Sequence, residues 1–96
     1  MVIVRGVNVY PSAIEAVVRR FAEIAEYRVD LTDERGMVEL ALTIEPMPDA
    51  DGRALAESLG DALRAALALR IPVSSVSAGT LPRFEMKSKR WVRWGG

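Results

Sequence analysis

Apolar and polar residues change their spacing several times along this 96-residue chain, and each change marks an element. Val2, Val4, Val7 and Val9 are β-branched and lie on either side of Arg5–Gly6, which predicts a strand or short hairpin at the start. Tyr10-Pro11-Ser12 stops it, and Ser12 followed by Glu15 has the spacing of a capping box. Ile14, Val17, Val18, Phe21, Ile24 and Ala25 then follow helical spacing, with Arg19, Arg20 and Glu23 on the other side. Tyr27, Val29 and Leu31 alternate with Arg28 and Asp30 as in a half-buried strand. The polar stretch Thr32-Asp33-Glu34-Arg35-Gly36 reads as a hairpin loop leading into Val38, Leu40, Leu42 and Ile44.

Pro46 and Pro48 end that strand, and Asp49-Ala50-Asp51-Gly52 offers caps for a second amphipathic helix. Its apolar stripe is Leu55, Leu59, Leu63, Ala66 and Leu67; the helix is expected to run to Arg70, before Pro72. Val73, Val76 and Ala78 suggest a last strand, and the remainder is a basic tail. The order β-α-β-β-α-β predicts an α+β, ferredoxin-like fold: an antiparallel sheet with two helices on one face. Residues 1–96 are expected to form a single domain.

Composition changes this picture mainly by exclusion. With no Cys and no His, disulfides, thiolate metal sites, a cysteine nucleophile and the commonest general base are all absent. No metal site is expected within the chain. The longest apolar run, Ala65–Leu69, is far short of the ~20 residues that span a bilayer. No signal peptide is evident either, so the expectation is a soluble cytoplasmic protein with no membrane partner. A chain of this length has little room for both a core and a deep pocket. The formal net charge of zero conceals an asymmetry. Residues 83–93 carry five basic residues and one acid, a net of +4, so the body carries −4.

Two stretches exceed what a core and its turns require. One is Arg5-Gly6-Val7-Asn8-Val9-Tyr10-Pro11-Ser12-Ala13-Ile14-Glu15, and the other is Leu81-Pro82-Arg83-Phe84-Glu85-Met86-Lys87-Ser88-Lys89-Arg90. Together they resemble the C-terminal domain of phenylacetate–coenzyme A ligases, within the superfamily of adenylate-forming enzymes. The resemblance covers essentially the whole chain. It implies a mobile small domain that serves ATP-dependent activation of a carboxylic acid, aryl acids included, and then thioester formation with coenzyme A. Lys87 matches the adenylation lysine, a compact charge able to bridge carboxylate and phosphate oxygens. Arg5, Gly6, Asn8 and Arg90 match motif positions expected to approach the nucleotide or coenzyme A. Met86 stands where the family has Gly, and Phe84 where it has a small residue.

ATP and coenzyme A are thus the implied co-substrates, with Mg held by the large domain. That domain, supplied in cis or in trans, is the implied partner, and the chain is not expected to be active alone. Its first residue falls at the family's domain joint. A small domain parted from its partner exposes an apolar face, so self-association into a homo-oligomer is a further expectation. Two other classes compete. Lys87, Lys89, Arg90 and Arg93 interleave with Trp91 and Trp94, as in a binding module for single-stranded nucleic acid, although the acidic body argues against it. Gly95-Gly96 looks like the tail of small carrier proteins, although the element order does not resemble theirs.

Overall fold

A computed structural model describes residues 1–83 and 90–94. Strands β1 (Val2–Val4) and β2 (Val7–Val9) form an antiparallel hairpin of their own. Its turn is Arg5–Gly6, with φ of 49° and 79°. Positive φ at both central residues is the turn that matches the twist of a two-residue hairpin, and Gly enters it without steric cost. Val4 and Val9 point into the core, whereas Ile3 and its cross-strand partner Asn8 face out.

Helix α1 (Pro11–Val18) is shorter than its periodicity predicts and starts differently. Tyr10, in extended conformation, is the N-cap residue, and no side chain caps the helix. Pro11 occupies the first turn, where its missing N–H would have no partner anyway. Ser12 is therefore already inside the helix, and the capping box with Glu15 does not form. Phe21 and Ile24 still pack against the core, but from a turn and from strand β3 (Ile24–Glu34). A short apolar run in helical phase cannot by itself be told from one that passes through a turn into a strand.

Strand β3 pairs antiparallel with β4 (Met37–Pro46) along almost their whole lengths. The predicted five-residue loop contracts to a two-residue turn at Arg35–Gly36, both at positive φ, because Thr32–Glu34 pair with Met37–Glu39. Tyr27, Val29 and Leu31 lie opposite Ile44, Leu42 and Leu40, giving one continuous apolar face. Helices α1 and α2 (Gly52–Leu67) pack against each other over it. Leu59 and Leu63 of α2 are fully buried there, with Ile14 of α1. The carboxylate of Asp51 caps α2, accepting from the amides of Arg53 at 3.1 Å and Ala54 at 3.2 Å.

Helix α2 stops three residues short of Arg70, at a left-handed Ala68. Pro72 disfavours helical backbone at the residue before it, and Leu69 and Ile71 turn inward instead. The chain then enters β5 (Val73–Ser75), which runs parallel to β4. The last strand is thus shorter than predicted, ending before Val76. The basic tail, in contrast, contains a strand: β6 (Trp91–Trp94) runs parallel to β3.

The expected α+β, ferredoxin-like arrangement of two helices on one face of a sheet holds. The sheet, however, is mixed, in the order β5-β4-β3-β6, rather than antiparallel throughout. The first two strands bond each other, so the free edges of β3 and β4 are filled by later segments. β5 arrives by the α2 crossover and so runs parallel to β4, whereas β6 starts at the end of the sheet where β5 stops and therefore runs parallel to β3.

Candidate functional site

Parallel pairing brings the end of β5 beside Ile44 of β4 and the start of β6 beside Val29 of β3, so both lie toward the same end of the sheet. At that end Glu26 and Glu45 are direct cross-strand partners, and they are 6% and 1% exposed. Like charges opposite one another repel, and a buried carboxylate needs a partner. The chain beyond β5 supplies Arg83 to Glu45 and Arg90 to Glu26.

Arg83 Nη2 donates to Glu45 Oε2 at 2.6 Å, and the Leu81 amide donates to Oε1 of the same carboxylate at 2.9 Å. The Arg83 hydrogen bond, with the Leu81 amide, outweighs burial and holds the Glu45 carboxyl down at about 2. Arg90 Nε donates to Glu26 Oε1 at 2.7 Å, and its Nη1 donates to Glu15 Oε1 at 3.3 Å. The guanidinium lies 5.0 Å from the centroid of the Tyr27 ring, a cation–π contact. The Tyr27 hydroxyl donates to Glu15 at 3.4 Å, and burial together with the nearby Glu15 charge pushes this phenol up to about 12. Arg90 therefore ties β3, α1 and the start of β6 together. With Arg19 and Phe21, the same groups line a cleft of about 250 Å³. A wider hollow of about 430 Å³ lies elsewhere, at the start of α2 between Met47, Arg53, Ser75 and Ala78.

The first motif sits at the other end of the ribbon formed by β3 and β4. Arg5 Nε and Nη2 make a bidentate pair with Glu39, at 3.1 and 2.8 Å. Glu39 and Glu45 are six residues apart on β4, roughly 20 Å at strand rise. Gly6 has open space where a Cβ would stand, so its glycine is required by the backbone turn and leaves that side approachable. Asn8 is exposed on the outward face of the hairpin.

Of the residues that sequence reasoning singled out, Arg5, Gly6 and Asn8 are thus grouped on one hairpin, and Arg90 lies at the opposite end. Lys87 falls outside the described residues, as do Phe84, Met86, Lys89 and Gly95-Gly96. Sequence reasoning missed Glu15, Glu26, Tyr27 and Glu45. A signal was present in two of them: Glu26 and Glu45 each interrupt an apolar neighbourhood near a strand end, where an exposed acid gains nothing. Among the described residues no group of three acidic side chains is placed to hold a metal ion, and no helix is long and apolar enough to cross a membrane.

Several solved structures share this arrangement. A 2-hydroxyisobutyryl-CoA ligase in complex with 2-HIB-AMP and CoA, in its thioesterification state, is 29% identical with a TM-score of 0.78. The match covers 94% of this chain and 20% of that one. The same ligase in the postadenylation state with R3-HIB-AMP gives 26% identity and a TM-score of 0.82 over 97% of this chain and 21% of that one. A domain of phenylacetate-coenzyme A ligase from Bacteroides vulgatus ATCC 8482 is 26% identical with a TM-score of 0.77, covering 97% of this chain and 91% of that domain. The chain thus spans about a fifth of the length of the 2-hydroxyisobutyryl-CoA ligase. No curated protein sequence matches it. Residues 6–93 match the AMP-binding enzyme C-terminal domain, from Gly6 of the first motif through the whole of the second, and it is to this family that the chain belongs.

Proposed function

We propose that this chain is the mobile small domain of an acyl–coenzyme A ligase, which works on an ATP site and an acyl pocket carried by a large adenylation domain. In the first half-reaction a substrate carboxylate attacks the α-phosphate of ATP and pyrophosphate leaves. Charge builds on phosphate oxygens, so the contribution of the small domain is electrostatic: Lys87 supplies a positioned ammonium. In the second half-reaction the coenzyme A thiol attacks the acyl-adenylate and AMP leaves. There the Arg5–Gly6 hairpin, with Asn8, turns toward the thiol's path. Aryl carboxylic acids are the proposed acyl class, and a cytoplasmic location suits ATP and coenzyme A as co-substrates.

The observation that carries this reading is the similarity to one ligase caught in two states, with an acyl-adenylate in one and an adenylate plus CoA in the other. The separation of Arg5 from Arg83 and Arg90, which flank Lys87 in sequence, supports it, since a rigid body with functional groups at opposite ends must turn to present each in sequence.

The test is complementation. A large adenylation domain lacking its own small domain is mixed with this chain, and carboxylate-dependent exchange between ATP and pyrophosphate is measured. We expect the chain to raise exchange, and Lys87→Ala to lower the gain about 10²–10³-fold, the usual effect of removing one preorganised donor. No gain, or a gain indifferent to Lys87→Ala, contradicts the proposal.

A further inference from the structure

We infer that Glu45 and Glu26 are positioning residues for adenylation: through Arg83 and Arg90 they fix both ends of the segment that carries Lys87. This rests on the reading of Lys87 given above and adds to it a mechanism for holding the lysine.

Four observations converge. First, Arg83 and Arg90 stand four residues before and three residues after Lys87, so whatever holds them limits how far the lysine's stretch of chain can reach. Second, their acceptors stand on adjacent strands as direct cross-strand partners, so the central ribbon itself fixes the two anchor points relative to each other. Third, the acceptors are built into the interior: the Glu45 and Glu26 side chains are 1% and 5% exposed, and while Arg90 is 17% exposed, Arg83 reaches its buried acceptor from a side chain that is 60% exposed. Fourth, each anchor makes more than one contact. Glu45 also accepts from the Leu81 amide, and Arg90 also reaches Glu15 and the Tyr27 ring.

Nothing in the packing of the core asks for two acids facing each other in the sheet; two apolar residues would fill such positions at less cost. The pairing does make sense as a device for holding a short segment by its ends. Fixing both ends removes conformations in which the lysine is far from its target, and misplacement by about 1 Å can cost on the order of 10²-fold in rate. Arg90 thereby serves as an anchor, its guanidinium directed to Glu26 and Glu15 and its side chain only 17% exposed.

The experiment uses Glu45→Gln and Glu26→Gln, which keep shape and an acceptor oxygen but remove the charge that holds each arginine. Each variant chain is combined with the large domain, and two rates are read separately: acyl-adenylate formation from ATP, and thioester formation from supplied acyl-adenylate and coenzyme A. We expect adenylation to fall about 10- to 100-fold in each variant, as for a displaced catalytic group. Thioester formation should stay within about twofold, because the hairpin at the far end is untouched. Glu45→Asp, which keeps the charge, should recover part of the loss. Equal loss in both half-reactions would mean that the pairs only maintain the fold, and unchanged adenylation would mean that they position nothing; either overturns the inference. Lys87→Ala is run alongside. If it abolishes adenylation while Glu45→Gln and Glu26→Gln do not, only the anchoring inference fails. If it leaves adenylation intact, the reading of Lys87 falls, and the inference falls with it.

Discussion

Glu45 joins the sequence to the chemistry through a single side chain. Its carboxyl stands at about 2 in the folded protein against an ordinary 4.5, with the Arg83 hydrogen bond as the main cause. A group whose folded value is depressed contributes stability above its unfolded value, and that contribution disappears as pH falls toward the folded value. Folding stability should therefore decline between about pH 4.5 and pH 2 in a way that depends on Glu45. Denaturant midpoints measured across this range should fall less steeply for Glu45→Gln than for the parent chain; equal slopes would show that Glu45 is not linked to folding. The sequence shows Glu45 only as an acid beside apolar residues, and neither its burial nor its partner was legible there. Glu45 follows an alternating strand and precedes Pro46, so it reads as a solvated strand end. Its partners, the Leu81 amide and the Arg83 guanidinium, lie more than thirty residues further along the chain.

At the scale of elements, existence and type were legible while ends were not. The alternation through Tyr27–Leu31 and Val38–Ile44 gave the central ribbon, and the Leu55, Leu59, Leu63 stripe gave α2. The start of α1 differs because Ser12–Glu15 has capping spacing, whereas the helix begins at Pro11 with Tyr10 as its N-cap, two residues earlier than a Ser12 cap would put it. This distinction is measurable. Asp51→Ala removes a cap that is hydrogen-bonded to two amides and should cost about 1 kcal/mol in chemical denaturation, while Ser12→Ala should cost much less. A loss at Ser12 as large as that at Asp51 would restore the capping box. Strand β6 was invisible for another reason. Its four residues, Trp91–Trp94, are two aromatics on either side of a Val–Arg pair inside a charged tail, and the tail's charge dominated the reading. In the fold, Trp91 packs against the core and the Trp94 indole donates to Asp30 at 2.8 Å.

Over the whole molecule, the charge asymmetry acquires a physical explanation. Two of the five basic residues in the +4 stretch, Arg83 and Arg90, are directed at glutamates of the body. The basic stretch and the acidic body are thus partly two halves of one structural device, which weakens the case for a nucleic-acid surface. The family was legible from the sequence because its two motifs are local strings. That Arg5 is held at one end of the ribbon, by Glu39, and Arg83 and Arg90 at the other, with Glu39 and Glu45 roughly 20 Å apart, was not, since it follows from sheet order. That placement sets up the central claim, which is that one rigid domain serves two half-reactions with different ends. The most direct measurement is a crossed one, with acyl-adenylate formation and thioester formation from supplied adenylate each assayed for Lys87→Ala and for Gly6→Ala. The added methyl meets no atom within 4 Å in this chain, so Gly6→Ala costs only the strain of its left-handed backbone, about 1 kcal/mol. We expect Lys87→Ala to lose adenylation and keep thioester formation, and Gly6→Ala to do the reverse. Both variants depressing the same half-reaction, or each depressing both equally, would contradict a domain that works by turning one end and then the other toward its partner.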